Sequence, residues 1–560
     1  MNTCARAGPG PVRGARPGAP FTFFGPFAMT RFSRLLCAAT LIAPHLVHAQ
    51  PGAKVGPAIP AAMSAITEAD LTRDLYALAG DAFRGREAGS LDEMRASMWI
   101  ADQLRKIGVQ PAGTDGSYFQ WWNMRRTRIS AAASMARIGG RGLVLWTDIA
   151  PNANGDVTVS APTVWAGDGS DSTVDVRGKV AVVTMSAPAN PVRTEGTNSF
   201  ETRYTTSALA ATAGRLAGRG AAALIVIADS IADIGFDGIA AQRSRGTYDV
   251  EGGVPRFAAP AQGAGGRGGA PGAAGGAAGA AGGRGGGRGG AGPQTPTFLV
   301  RSSMMGALRA GGEQAELVVR SERFDAPSVN IVGVVKGSDP TLRSEYVLYS
   351  SHQDHDGVRF NVAGDSIWNG ADDNGSVSVA LLAIARAFVK QPGKRSVLFV
   401  YHGAEERGLL GSRYHAAHPV VPLASIVAVL NGDMIGRNHP DSASLMGIQP
   451  PHRNSTELVA MALRANDLTG KFTLDSLWDR PTHPEGWYFR SDHVPYARLN
   501  VPALEYSTNL HPDYHTPRDE PSRINYSKLT RMTKWMYLTG WFVSQTAKRP
   551  AIDVGFQLER

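Results

Sequence analysis

Cysteine is nearly absent: the 560 residues contain Cys4 and Cys37 and no other. Both precede the point where an export leader would be cut, so a mature chain could build neither a disulfide framework nor a thiolate metal site. Long apolar runs are also lacking. The one stretch of note, Leu35–Ala43, follows the basic start Met29-Thr30-Arg31-Phe32-Ser33-Arg34 and ends at Val47-His48-Ala49-Gln50. That layout predicts a signal peptide over 29–49, cleaved after Ala49, and an exported, periplasmic or secreted product with no integral membrane segment. A strong charge of either sign is missing as well. The formal net charge is +9, and Arg6, Arg13, Arg16, Arg31 and Arg34, unmatched by any acid in residues 1–50, account for more than half of it. The remaining surplus is too mild to point to nucleic acid.

Glycine, by contrast, is abundant, with 66 residues. Residues 260–293 are almost wholly Gly, Ala, Arg and Pro and cannot bury enough apolar surface to order themselves, which predicts a disordered loop. Its Arg-Gly-Gly triplets at Arg267, Arg284 and Arg288 have no interleaved aromatics, so they do not suggest an RNA-binding tail.

A chain of this length needs more than one core. Residues 1–49 read as extension and leader. In 50–149, Leu71, Leu75, Leu78 and Ala79 predict one helical face, and Met98, Ile100, Leu104 and Ile107 another. The stretch 150–322, with strand-like Val180–Met185 and Leu224–Ile227, reads as a small β-rich insertion. From 323 to 560 the pattern is α/β. Tyr346–Ser351, Ser396–Tyr401 and Ser425–Leu430 are near-continuous apolar runs, and Val377, Leu381, Ile384 and Phe388 recur at helical spacing. Such strands are covered on both faces, which predicts a mixed, mostly parallel sheet flanked by helices, with ligands gathered beyond the strands' carboxyl ends.

Acids and histidines stand at those ends. His352 closes one strand, with Asp354 two residues on as a carboxylate that could fix the imidazole tautomer. Asn369-Gly370-Ala371-Asp372-Asp373-Asn374-Gly375-Ser376 opens a helix. A helix cap explains one acid there but not the cluster. Glu405 and Glu406 follow a buried-type strand, where adjacent carboxylates repel unless a cation is near. One could ligate a metal while the other takes a proton from water. Asp433 ends the next strand, and His515 stands near the C-terminus, with His511 and His493 as rivals. Two histidines and three carboxylates suffice for two divalent metals, leaving one carboxylate as a base, and such a centre directs water at a carbonyl or phosphoryl group.

The joint order of these motifs, closed by Asp513-Tyr514-His515-Thr516-Pro517, resembles the zinc metallopeptidases of family M28. The likeness runs over about 66–120, including Phe83-Arg84-Gly85-Arg86-Glu87-Ala88-Gly89-Ser90, and 328–547. The stretch 150–322 resembles an inserted protease-associated domain. The resemblance implies two Zn2+ per chain: Asp372 as the bridge, with a cis bond to Asp373; His352 and Asp433 at one ion; Glu406 and His515 at the other. It further implies Glu405 as general base, Asp354 as the support of His352, and peptides as substrates. It favours an aminopeptidase. A carboxypeptidase or dipeptidase of the glutamate carboxypeptidase type, a glutaminyl cyclase-like transferase and a ligand-free binding protein on the same fold are the alternatives.

Overall fold

A computed structural model describes residues 59–559 apart from 153–154, 189, 191, 193–199, 251–294 and 360–363. The predicted leader 29–49 and the Gly-rich stretch 260–293 lie outside the described residues.

Near the start, helix α1 (Glu68–Leu78) is capped by the Thr67 side chain, and α2 (Leu91–Ile107) by Ser90, ending on Gly108 in the left-handed region. These are ordinary start and stop signals: a hydroxyl satisfies a free amide, and glycine accepts the reversed backbone. Leu71, Leu75, Leu78 and Ala79 are all fully buried, as their spacing predicts. Met98 departs from the predicted face of α2 and is 64% exposed. It sits two residues from Ile100, and side chains two apart on a helix point to opposite sides. The buried face is Ser97, Ile100, Ala101 and Leu104.

The main sheet has ten strands. Nine form its path: β1 (Phe119–Ile129), β2 (Thr247–Val250), β3 (Ser321–Val335), β4 (Tyr346–His352), β5 (Ser396–His402), β6 (Ile426–Gly432), β7 (Ser442–Met446), β8 (Thr473–Leu474) and β9 (Ala503–Ser507), in the spatial order β8-β7-β9-β6-β4-β5-β3-β1-β2. The centre is parallel: β5, β4, β6 and β9 run together. The flanks are mixed, with β3, β1 and β2 antiparallel to their neighbours on one side and β7 antiparallel to β9 on the other.

Alternation along the central strands feeds two cores. Val347, Tyr349, Val397, Phe399 and Tyr401 pack on one face with α1, α2, α5 (Val377–Lys390), α7 (Thr456–Leu468) and α8 (Tyr526–Gln545). Leu348, Leu398, Val400 and Val429 pack on the other with Ala416 of α6 (Leu410–Ala417) and Tyr496. Both faces are dry, so the strands read as unbroken apolar runs. Across an apolar area this large, at about 25 cal/mol per Å², burial is the main stabilising contribution.

The second sheet has eight strands, and the chain enters it earlier than the sequence suggests. Met135–Ile138 and Arg141–Leu143 already belong to it, and Gln314–Val319 is its last strand in chain order. Its middle strands, Val157–Trp165, Val180–Thr184, Ala223–Ile227 and Thr297–Val300, are parallel. Helices α3 (Phe200–Arg215) and α4 (Phe236–Ser244) cover one face. After α4 the chain returns to the main sheet, where β2 pairs with Met124–Thr127 of β1. Among the described residues no helix is long and apolar enough to cross a membrane.

Candidate metal centre

Because β4, β5 and β6 are adjacent and parallel, their carboxyl ends open at one edge. His352 is the last residue of β4, Glu405 and Glu406 follow β5 by three and four residues, and Asp433 directly follows β6. The loop beyond β9 brings His515 to the same edge, and the turn into α5 brings Asp373. A crevice beyond parallel strand ends is where such sheets collect ligands.

Two groups of metal-type side chains result. His352, Asp373 and Asp433 form one, and His355, Asp373, Glu406 and His515 the other, each with candidate ligand atoms within 4.8 Å of one another. Asp373 is common to both. Its Oδ1 lies 3.2 Å from His352 Nε2, and its Oδ2 lies 3.0 Å from His515 Nε2. On the first side, Asp433 Oδ1 is 3.7 Å from His352 Nε2. On the second, Glu406 Oε1 is 3.1 Å from His515 Nε2 and 2.8 Å from His355 Nδ1.

The shared carboxylate is therefore Asp373, not Asp372, and the cis peptide joins Asp373 to Asn374 rather than Asp372 to Asp373. Asp372 points elsewhere. Its Oδ1 accepts a hydrogen bond from the Gly436 amide at 2.6 Å, and its Oδ2 is 3.5 Å from His511 Nε2. Burial, then the neighbouring Asp519, pushes its carboxyl up to about 8. Asp373 leaves helical geometry, with φ −102° and ψ 96°, while Asp372 does not, so the two neighbouring carboxylates leave the turn in different directions. The turn itself is held by Asp519, which accepts from the amides of Asp372 and Asp373. Gly370 is required in it, since a Cβ there would lie 2.2 Å from Asp373 O and 2.5 Å from the His355 ring.

Asp354 also differs in detail from its expected part. His352 Nδ1 contacts the Asp354 carbonyl at 3.1 Å, while the carboxylate is 3.9 Å away. That carboxylate accepts instead from the amides of Glu405, at 3.0 Å, and Glu406, at 3.4 Å. It thus holds the glutamate pair in place. Of the three candidate late histidines, His515 alone joins a group. His511 faces Asp372, and His493 Nδ1 lies 3.2 Å from Glu505 Oε2.

Glu405 belongs to neither group but borders the first, with Oε2 3.8 Å from His352 Nε2. Burial, outweighing the attraction of His352, holds its carboxyl well above the usual range, and Glu406 and Asp433 add to the push. The backbone is strained around these residues. Ala404, Met434 and His515 have φ of 53°, 54° and 50°, conformations that cost about 1–3 kcal/mol each and persist where surrounding structure imposes them. Tyr514 stacks on the His515 ring with centroids 3.9 Å apart.

This donor set fits zinc. Imidazole and carboxylate are its ordinary nitrogen and oxygen ligands. Four carboxylates, from Asp373, Glu405, Glu406 and Asp433, share one buried pocket where like charges oppose ionisation unless cations compensate. The Nε2 atoms of His355 and His515 are buried and make no hydrogen bond.

Three residues of the site escaped the sequence reading. His355 was legible as a second histidine three residues after His352. Arg86 lies in the family-like segment 83–90, but neither its role nor that of Asp356 was readable, since both depend on partners far away in the chain. Arg86, buried, donates to the carbonyls of Gln353 at 2.8 Å, Asn369 at 2.7 Å and Gly370 at 3.0 Å. One guanidinium thereby ties the loop after β4 to the turn that carries Asp373.

Residues 330–539 match the sequence pattern of Peptidase family M28. Aminopeptidase YwaD of Bacillus subtilis (strain 168) is 27% identical over 252 residues, covering 42% of this chain and 51% of that protein; the chain thus spans about half the length of this relative. Leucine aminopeptidase 1 of Trichophyton rubrum is 30% identical over 271 residues, covering 46% of this chain and 68% of that protein. The solved structure of a zinc aminopeptidase from Bacillus subtilis superposes with a TM-score of 0.51 at 18% identity, over 90% of this chain and 99% of that one, and so has the same fold.

Proposed function

This chain belongs to peptidase family M28, and from that premise we propose that it is a zinc aminopeptidase with two ions per chain and Glu405 as general base. The observation that carries the reading is Asp373, whose two carboxylate oxygens face two separate sets of ligands. His352 and Asp433 would complete one ion's shell, and Glu406 and His515 the other's, with His355 beside the second. Zinc, when bound, supplies an acidified water and positive charge beside a peptide carbonyl.

The protein's own part is proton transfer and positioning. Glu405, at the pocket edge and 10% exposed, takes the proton from the attacking water and delivers it to the leaving amine. Asp354 keeps Glu405 and Glu406 at fixed places through their amides. The named activities of the relatives support cleavage at a free N-terminus. The second sheet is read as a protease-associated insertion, and residues 29–49 as an export leader.

The test is elemental analysis of the purified chain together with hydrolysis of amino-acid anilides against N-blocked peptides. Two zinc ions and turnover restricted to free N-termini are expected. Cleavage of N-blocked substrates at a free C-terminus would refute the aminopeptidase reading.

A further inference from the structure

Arg245, which follows helix α4 of the second layer, reaches the metal centre. Helix α4 ends at Ser244, Arg245 caps it, and Gly246, at φ 79°, turns the chain straight into β2. A Cβ on Gly246 would lie 2.1 Å from Thr127 O, so the turn sits hard against β1. The Arg245 carbonyl is held as well, accepting from Arg126 Nε at 2.8 Å. From this braced position the Arg245 guanidinium meets Asp356 Oδ1 at 2.5 Å. The other oxygen of Asp356 faces His515, with Oδ2 3.5 Å from Nδ1. Arg359, at 3.0 Å, and Arg407, at 3.4 Å, complete the cationic surround of this buried carboxylate.

An imidazole that binds metal through Nε2 needs its proton on Nδ1, and a carboxylate facing Nδ1 keeps it there while fixing the ring plane. Here Nε2 of the same ring is the atom turned toward Asp373 and Glu406. A carboxylate so buried stays ionised only with cations beside it, and one of them comes from the inserted layer. We propose that Asp356 and Arg245 are positioning residues for His515, so that the second layer is a structural part of the metal centre and not an appendage. This rests on the two-ion reading above.

The experiment uses the full chain, stripped of metal and titrated with Zn2+ against a chromophoric chelator. The wild type is expected to bind two ions. Asp356→Asn, which keeps the side-chain shape, should weaken one of the two by about 10–100-fold and leave the other near its wild-type affinity. Arg245→Ala should weaken the same ion to a lesser degree, and Arg245→Lys should recover most of the loss. The double variant should be no weaker than Asp356→Asn alone, because the arginine acts through that carboxylate.

Urea unfolding of the metal-free variants separates positioning from bulk stability. Zinc loss matched by an equal loss of metal-free stability overturns the proposal, as do unchanged affinities in Asp356→Asn or additive losses in the double variant. A wild-type chain that binds fewer than two ions refutes the two-ion reading, and the inference with it.

Discussion

Asp372 and Asp373 are chemically identical neighbours with opposite surroundings. Asp373 offers its two oxygens to two histidines, while Asp372 is spent on the Gly436 amide. Asp373→Ala should therefore abolish tight binding of both ions. Asp372→Asn, whose amide oxygen can still accept from Gly436, should keep both ions and change stability by about 1.5 kcal/mol or less. Zinc content by elemental analysis, with urea midpoints alongside, decides between the two. Glu405→Gln should retain both ions and lower kcat about 10²–10⁴-fold; near-normal turnover would remove Glu405 from the proton-transfer step. The acids and histidines themselves were legible as a joint order of motifs. Which of two adjacent acids turns inward was not, since that depends on the φ and ψ of a turn that Asp519, far along the chain, holds from outside.

At the level of elements, the centre is an assembly of loops fastened to rigid strand ends. The apolar runs of β4, β5 and β6 marked them as buried strands from composition alone, and the residues that follow them were legible as a site for the same reason. The fastening was not legible. Arg86 joins loops that are some 267 to 284 residues away in the chain, and nothing in the local sequence announces such a partner. Arg86→Met should remove the guanidinium's hydrogen bonds to four carbonyls, those of Leu78, Gln353, Asn369 and Gly370, and lower stability by about 3 kcal/mol or more. Zinc affinity should fall with it, since the turn bearing Asp373 loses its tie to the loop after His352. Urea unfolding and chelator competition would show both effects. A variant as stable and as zinc-avid as the wild type would mean that the turn is held by other contacts.

Across the whole molecule, burial of charge sets how stability responds to pH. Glu93, buried in α2, accepts from Ser328 Oγ and the Gly89 amide, each at 2.6 Å. Desolvation, reinforced by the charge of Asp354, nonetheless raises its carboxyl to about 8. A group raised in the folded state binds its proton more tightly there than in the unfolded chain. Its stabilising contribution is complete below the ordinary value near 4.5 and is lost as pH rises through about 8, at roughly 1.4 kcal/mol per unit. Glu93→Gln should remove this dependence, so its urea midpoint should fall less than that of the wild type between about pH 6 and about pH 9. Parallel declines in both proteins would assign the sensitivity to another group.

The amino-acid order alone determined the α/β class, the covered central strands and the set of side chains from which a metal centre could be built. Each of these is written locally, in hydrophobic period and in which residue ends a strand. Only the tertiary structure decided that Asp373 rather than Asp372 faces both ligand groups, that His355 stands among them, and that Arg245 reaches Asp356 from the second layer. Those outcomes depend on contacts between residues one to several hundred positions apart, and the direction of a side chain within a turn is settled by what packs against it.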